Sequence, residues 1–401
     1  MKEKRQKEHL LEYKLLYTVI ILLVYLVGKS IPLYGVDLSF YLQKEVNAEA
    51  LLLQTITGDI MQCSIFALGI SPIMLAAIFV QIGSAMRKSE HRAKSSPKRK
   101  QHITLIITLM MSIIQAVVQV ENLQFRVTDQ VLPIAKLIAA IEMVAGVMII
   151  MWLITRNKTY GIGGQTALIF MNILEGIIAT VKGHNLQELI VPVLVSIFVI
   201  VVMLIMENSE KRIPVQRISI HNIYADKNYM AIKLNPIGVM PAMFSTAFFM
   251  LPQLVITGIA CLLPENDSVL WWHENMSLVK PLGIVTYVII LYVLTIGFSR
   301  VFLNPKDITE QYLKSGDSIV NLHAGKETRK YLSRTINRMS FLGATVMSIC
   351  LVIPLVLQMT GGMTMTLSAL PSSVMMLTGL WCNLYREGVA IRNLEAYEPF
   401  I

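Results

Sequence analysis

Ten stretches of nearly unbroken apolar character run along the chain, near 15–33, 69–86, 102–121, 133–155, 163–181, 187–206, 236–263, 281–303, 338–359 and 370–391. Each approaches the roughly 20 residues that a helix needs to cross a hydrocarbon core. None shows the two-residue alternation of a membrane β-strand. The pattern therefore predicts an all-α polytopic membrane protein with ten transmembrane helices. The basic start, "MKEKRQKEHLLEYK" over 1–14, leads into an apolar run that lacks a small-residue cleavage site. It reads as a retained first helix and not as a signal peptide.

Two of the ten stretches are interrupted in the same way. "GISP" at 69–72 opens the second, and "GVMP" at 238–241 opens the seventh. With the chain divided into halves of five helices, 15–181 and 187–391, each motif opens the second helix of its half. Successive helices cross in opposite directions, so the two interruptions enter from opposite faces. That is the pattern of an inverted repeat with its working site between the halves.

Composition and charge sharpen this picture. The chain is 54% hydrophobic and 15% charged, against about 25% charged for a soluble domain. Ten crossings place Lys29, Lys44, Arg126, Lys136, Lys182 and Lys280 on one side and the other 29 Lys and Arg on the opposite side. The basic side is cytoplasmic by the positive-inside rule, which puts both termini there. The net charge of +9 is thereby accounted for without nucleic acid. Cys63, Cys261, Cys350 and Cys382 are scattered, with neither metal-ligand nor disulfide spacing.

The loops are unequal. On the outer side 34–68 is the longest, and "TITGDIMQCS" within it is too polar to span but suited to re-enter. On the basic side stand "RKSEHRAKSSPKRKQ" (87–101), the segment 207–235, long enough for a β-ribbon, and 304–338, read as a loop followed by an amphipathic helix over 325–338. Two structured loops on one face point to a docking surface for a soluble partner.

Catalytic chemistry finds no foothold. There is no H-E-x-x-H or G-x-S-x-G, and "HAGKET" (323–328) lacks the upstream Gly of a phosphate loop and the Ser or Thr after Lys326. No cofactor is expected, and the chain reads as no enzyme. Glu142 and Glu175 lie within apolar stretches, where ionisable groups are expensive. Glu142 suits pairing with Lys136 or with a polar group on a neighbouring helix, or a proton relay in a coupled carrier; Glu175 suits solvation near the outer surface. Gln81, Gln115, Asn172, Ser245 and Thr246 serve as interhelical glue or, together, as a seam that opens. Large soft residues gather at the interrupted starts: Ile70, Met74, Phe170, Met240 and Met243. They suit packing, or a hydrophobic constriction that yields to a flexible chain.

Several segments in order resemble the SecY family of protein-conducting channel subunits: "SIPLYGVD" (30–37), "SIFALGISPIMLAAIFVQIG" (64–83), "YGIGGQTALIF" (160–170), "EKRIPVQ" (210–216), "LNPIGVMPAMFSTAFFMLP" (234–252), "FLNPKDITEQYLKSG" (302–316) and "AGKETRKYLSRTINRMSFLGA" (324–344). The resemblance implies a clamshell of two five-helix halves around a pore in the plasma membrane of a bacterium. It maps the pore ring to Ile70, Met74, Phe170, Met243 and Val374. The plug falls near 55–63, with Thr57, Gly58, Asp59 and Ile60. The lateral gate takes Leu75, Gln81, Gln115, Asn235 and Ser245. Motor docking falls on Lys211, Arg212, Arg217, His323, Lys326 and Arg329.

Departures from the family pattern point to a branch. His323 stands where the family usually has Arg, Ala324 replaces Pro, "GGQT" opens the fifth helix, and the tail over 392–401 is short. In these respects the chain resembles the accessory SecY of Gram-positive bacteria. That implies an accessory SecA-type ATPase, small SecE-like or accessory membrane subunits, and unfolded serine-rich glycosylated adhesins as cargo. The alternatives are a housekeeping-type channel, an ion-coupled secondary transporter and a membrane scaffold.

Overall fold

The computed structural model describes residues 10–37, 63–86, 97–121, 123–127, 130–216, 228–246, 280–323 and 325–396, with scattered positions between 248 and 278. The helices are α1 (Leu10–Lys29), α2 (Ser71–Met86), α3 (Pro97–Glu121), α4 (Leu132–Tyr160), α5 (Gln165–Lys182), α6 (Leu186–Asn208), α7 (Pro281–Leu303), α8 (Pro305–Ser315), α9 (Lys326–Met359) and α10 (Met365–Ala396). Among the described residues, eight helices are long and apolar enough to cross a membrane; α2 is apolar but shorter, and α8 is a polar amphipathic helix of 11 residues that follows α7. The seventh predicted stretch, near 236–263, is described as helix over 240–246. Pro133, Pro281 and Pro305 sit in first turns of α4, α7 and α8, where a missing N–H costs nothing.

The chain divides into two compact units. One comprises Met1–Gln81, Ser95–Asn185 and Leu380–Ile401; the other comprises Ile82–Lys94 and Leu186–Gly379, so the division falls inside α2 and inside α10. In the first, α4 is the centre, packed against α1, α3 and α5. Its buried stripe runs Ala135, Ala139, Met143, Val147 and Ile150 at helical spacing, while Leu137 and Ile141 face outward. Both faces are apolar because one meets protein and the other lipid.

Charged groups brace this unit. Lys29 of α1 pairs with Glu175 of α5. Lys136 of α4 pairs with Glu121 of α3 at 2.6 Å. Glu142 accepts the Tyr34 amide at 3.0 Å. Lys136 is thus taken by another carboxylate, and Glu175 has a cation where solvation alone was expected.

In the second unit α9 is the spine, packed against α7, α6 and α8. The ribbon expected over 207–235 is present as β1 (Glu210–Gln216) and β2 (Tyr229–Lys233), antiparallel, with Glu210 opposite Lys233 and Ile213 opposite Met230. A short β3 (Ser318–Ile319) adds to the other edge of β1, giving the order β2-β1-β3. Alternation along β1 turns Ile213 and Val215 inward. Ile213, Ile232, Ile319, Leu332 and Ile336 form a small core with Ile308 and Tyr312 of α8 against it. Burying a side chain of the size of Leu332 is worth about 1.5–3 kcal/mol, so this extramembrane module has a core of its own.

Two boundaries differ from expectation. α3 begins at Pro97, so the last five residues of the 87–101 loop are helical. The amphipathic helix over 325–338 and the stretch over 338–359 are one helix of 34 residues, α9, because no breaker separates them and Leu332 and Ile336 anchor its first turns in the module core.

Candidate functional site

Each unit contains a helix that opens on a left-handed glycine, and the two starts are built alike. Before α2, Gly69 adopts φ 54° and its amide donates to Phe66 O at 2.8 Å. Pro72 follows, and the Met74 amide closes the first turn on Ile70 O at 3.0 Å. In the other unit Gly238 adopts φ 71°, Pro241 follows, and the Met243 amide closes the first turn on Val239 O at 3.2 Å. Left-handed φ costs an L-residue roughly 1–2 kcal/mol, so glycine is required at both bends.

The first start is clamped. Leu33 N donates to Cys63 O at 2.8 Å and Ile65 N to Ile31 O at 3.0 Å. Behind it α4 comes so close that a Cβ on Gly146 would lie 2.1 Å from Ile65 O. Ile70 and Met74 are buried and Leu75 is half-buried. Gln115 of α3 donates to Ser71 Oγ at 3.5 Å, a long contact that ties α3 to α2. Gln81 lies on α2.

The second start turns on Asn235, which is fully buried. Its Nδ2 donates to Gly238 O at 2.7 Å and to Met347 Sδ at 3.4 Å, and its Oδ1 has no partner among the described residues. Ser245 donates to Ala242 O at 2.7 Å. Thr246 Oγ1 lies 3.5 Å from the Tyr287 hydroxyl of α7, and Phe244 meets Phe298 edge-on at 5.9 Å. Met243 is buried, whereas Met240 is exposed. Val374 of α10 packs on Leu189, Leu367 and Leu370.

Phe170 stands in α5, its ring 5.9 Å from that of Trp381. Two residues on, Asn172 is buried with neither side-chain polar atom partnered among the described residues. The Gly-rich entry to α5 is held from below by Asn157, whose Nδ2 donates to Ile162 O and Gly164 O, both at 3.0 Å. Thr18 of α1 donates to Asn157 Oδ1 at 3.0 Å and accepts the Ile162 amide at 2.8 Å. Sequence reasoning missed Thr18 and Asn157; the available signal was a polar residue at the end of an apolar stretch beside a Gly-rich turn.

The docking candidates gather on the extramembrane module. Lys211 and Arg212 are exposed on β1, and Arg212 pairs with Glu210 at 2.8 Å and lies over the Tyr229 ring at 4.7 Å. The Glu210 hydrogen bond, then the charge interactions with Tyr229 and Glu210, raise the pKa of this guanidinium. His323, Lys326 and Arg329 are exposed at the start of α9, where the His323 carbonyl accepts the Thr328 hydroxyl at 2.8 Å. Thr57, Gly58, Asp59, Ile60 and Arg217 lie outside the described residues.

Paired helix starts of one construction, within a many-spanning helical chain that carries a folded module outside the membrane, define a class of polytopic membrane protein built from two related units. The profile of the SecY family matches residues 64–380, and the chain belongs to that family. It is 28% identical over 408 residues to the accessory Sec system protein translocase subunit SecY2 of Leuconostoc gelidum subsp. gasicomitatum, covering 97% of this chain and 96% of that protein. It is 29% identical over 392 residues to the subunit of the same name in Streptococcus agalactiae, covering 96% and 94%. Among solved structures it matches one described as the structure of a protein conducting channel, with a TM-score of 0.66, 17% identity and coverage of 96% and 93%. It also matches Sec61 in the canine ribosome–channel complex, with a TM-score of 0.61, 16% identity and the same coverage.

Proposed function

We propose that the chain is the central channel subunit of an accessory Sec translocase, passing unfolded secretory proteins across a bacterial plasma membrane with its termini and β-sheet module in the cytoplasm. The observation that carries this reading is near full-length similarity to accessory translocase subunits of two genera. The matched helix starts agree with it. Ile70, Met74, Phe170, Met243 and Val374 form the ring that closes the pore to ions. Residues 55–63 form the plug, and Leu75, Gln81, Gln115, Asn235 and Ser245 line the lateral gate. Such a ring blocks ions by dewetting and parts around an extended chain, which soft Met side chains favour.

An accessory SecA-type ATPase docks on Lys211, Arg212, Arg217, His323, Lys326 and Arg329, supplying the hydrolysis that this subunit does not perform. Small SecE-like membrane subunits complete the assembly, and the cargo is serine-rich glycosylated adhesins. The test is deletion of the gene in the producing bacterium. Loss of serine-rich surface proteins with general secretion intact supports the accessory role, whereas loss of general secretion supports a housekeeping-type channel.

A further inference from the structure

The uncharged stretches of α7 and α9 end at one level. Met339–Met359 of α9 and Pro281–Ser299 of α7 contain no Lys, Arg, Asp or Glu. At about 1.5 Å per residue they measure about 31 and 28 Å, each close to the thickness of a hydrocarbon core. The first cations beyond them are Arg338 and Arg300. The helices meet at this boundary, where Arg300 Nε donates to Asn337 Oδ1 at 2.8 Å.

Asn337 lines a groove of about 640 Å³ along α9, together with Ser333, Arg334 and Arg338. Arg300, Arg334 and Arg338 are all exposed. Among the described residues none of the three has a carboxylate partner. With Oδ1 occupied by Arg300, Asn337 keeps Nδ2 as a donor. Topology requires only that Lys and Arg lie within about 15–20 residues of the end of a span. It does not require three guanidinium groups from two helices to gather around one asparagine at headgroup depth.

We propose that this corner binds the phosphate of an anionic phospholipid headgroup. Guanidinium forks match phosphate oxygens in pairs, and basic pockets between transmembrane helices are suited to such headgroups. Depth selects the ligand. The headgroup layer is about 5–7 Å thick on each side, so Arg338, Arg300 and Arg334, one turn further out, lie within it. The groove continues to Lys330, Arg329 and Lys326, but Lys326 is about 18 Å beyond Arg338 along the helix axis, outside the reach of lipid phosphate. The site is therefore separate from the motor-docking residues proposed above and does not depend on them.

The test uses the full chain in nanodiscs of phosphatidylcholine containing a minor fraction of cardiolipin or phosphatidylglycerol, with retained lipid read by native mass spectrometry. The variant R300Q/R334Q/R338Q is expected to lose preferential retention of the anionic lipid on the order of 100-fold, at about fivefold per charge. The variant K326Q/R329Q/K330Q, further along the same groove, is expected to stay within about twofold, since its charges lie beyond the headgroups. Equal loss in both variants, or none in the first, would overturn the proposal. Displacement of the lipid by millimolar inorganic phosphate would overturn it in favour of a free-anion site. Unchanged lipid retention, with loss of binding to an acidic soluble protein in the first variant, would overturn it in favour of protein docking.

Discussion

Thr18 Oγ1 stands 3.0 Å from Asn157 Oδ1 and 2.8 Å from the Ile162 amide, so one hydroxyl on α1 joins the end of α4 to the turn that starts α5. All three residues are buried. The same hydroxyl also lies 2.9 Å from Lys14 O, so its one proton is shared between that carbonyl and Asn157 Oδ1. Thr18→Val keeps the shape and removes all three contacts, leaving the buried Ile162 N–H and Asn157 Oδ1 without this partner. The expected loss is about 1–3 kcal/mol for each group left unsatisfied, read as unfolding in mixed micelles. Thr18→Ser, which keeps the hydroxyl, is expected to recover most of it; equal loss in both variants would point to packing of the methyl group instead.

Glycine substitutions should separate by sign. At Gly69 and Gly238, with φ 54° and 71°, alanine is expected to cost roughly 1–2 kcal/mol of strain. At Gly83, on α2, a Cβ meets nothing within 4 Å, so alanine is expected to stabilise by up to about 1 kcal/mol through helix propensity. Thermal unfolding of the three single variants in one detergent makes the comparison, and a common sign would contradict it.

Truncating the ring should open it to ions. Met74→Gly and Met243→Gly remove large apolar side chains from the proposed constriction, and ion conductance of reconstituted vesicles is expected to rise in both. Leu137→Gly, which alters an outward-facing side chain of α4, is expected to leave conductance at baseline. Unchanged conductance in the two Met variants would count against the ring.

Glu142 is tied to the backbone of Tyr34 at 3.0 Å, the contact of a bracing group. Glu142→Gln retains an acceptor for that amide, so stability is expected to change by less than about 1 kcal/mol. Transport is expected to continue without any change in proton or sodium flux. A flux that disappears with this single substitution would revive the ion-coupled carrier.

What could be read in the sequence followed the apolar patterning. Uninterrupted runs marked the spans because lipid leaves few other solutions for a backbone. "GISP" and "GVMP" marked the two glycine-led helix starts because Gly and Pro impose backbone geometry locally. The length of the 207–235 segment allowed a β-ribbon, and β1 and β2 are there. Pairings between distant residues were not legible. Nothing near Arg300 announces Asn337, and nothing near Thr18 announces Asn157, since these contacts are set by how helices pack. The continuity of α9 through Arg338 was also hidden, because an amphipathic stretch and an apolar one differ in surroundings and not in backbone.

The central claim is that an extended polypeptide passes the two glycine-led helix starts, and the most direct measurement is photocrosslinking of a stalled secretory chain. Photoreactive residues at positions 74 and 243 are expected to capture it in the presence of motor and ATP. One at Val293, which is 65% exposed on the apolar surface of α7, is expected to capture lipid alone. Capture at 293 but at neither 74 nor 243 would contradict the account.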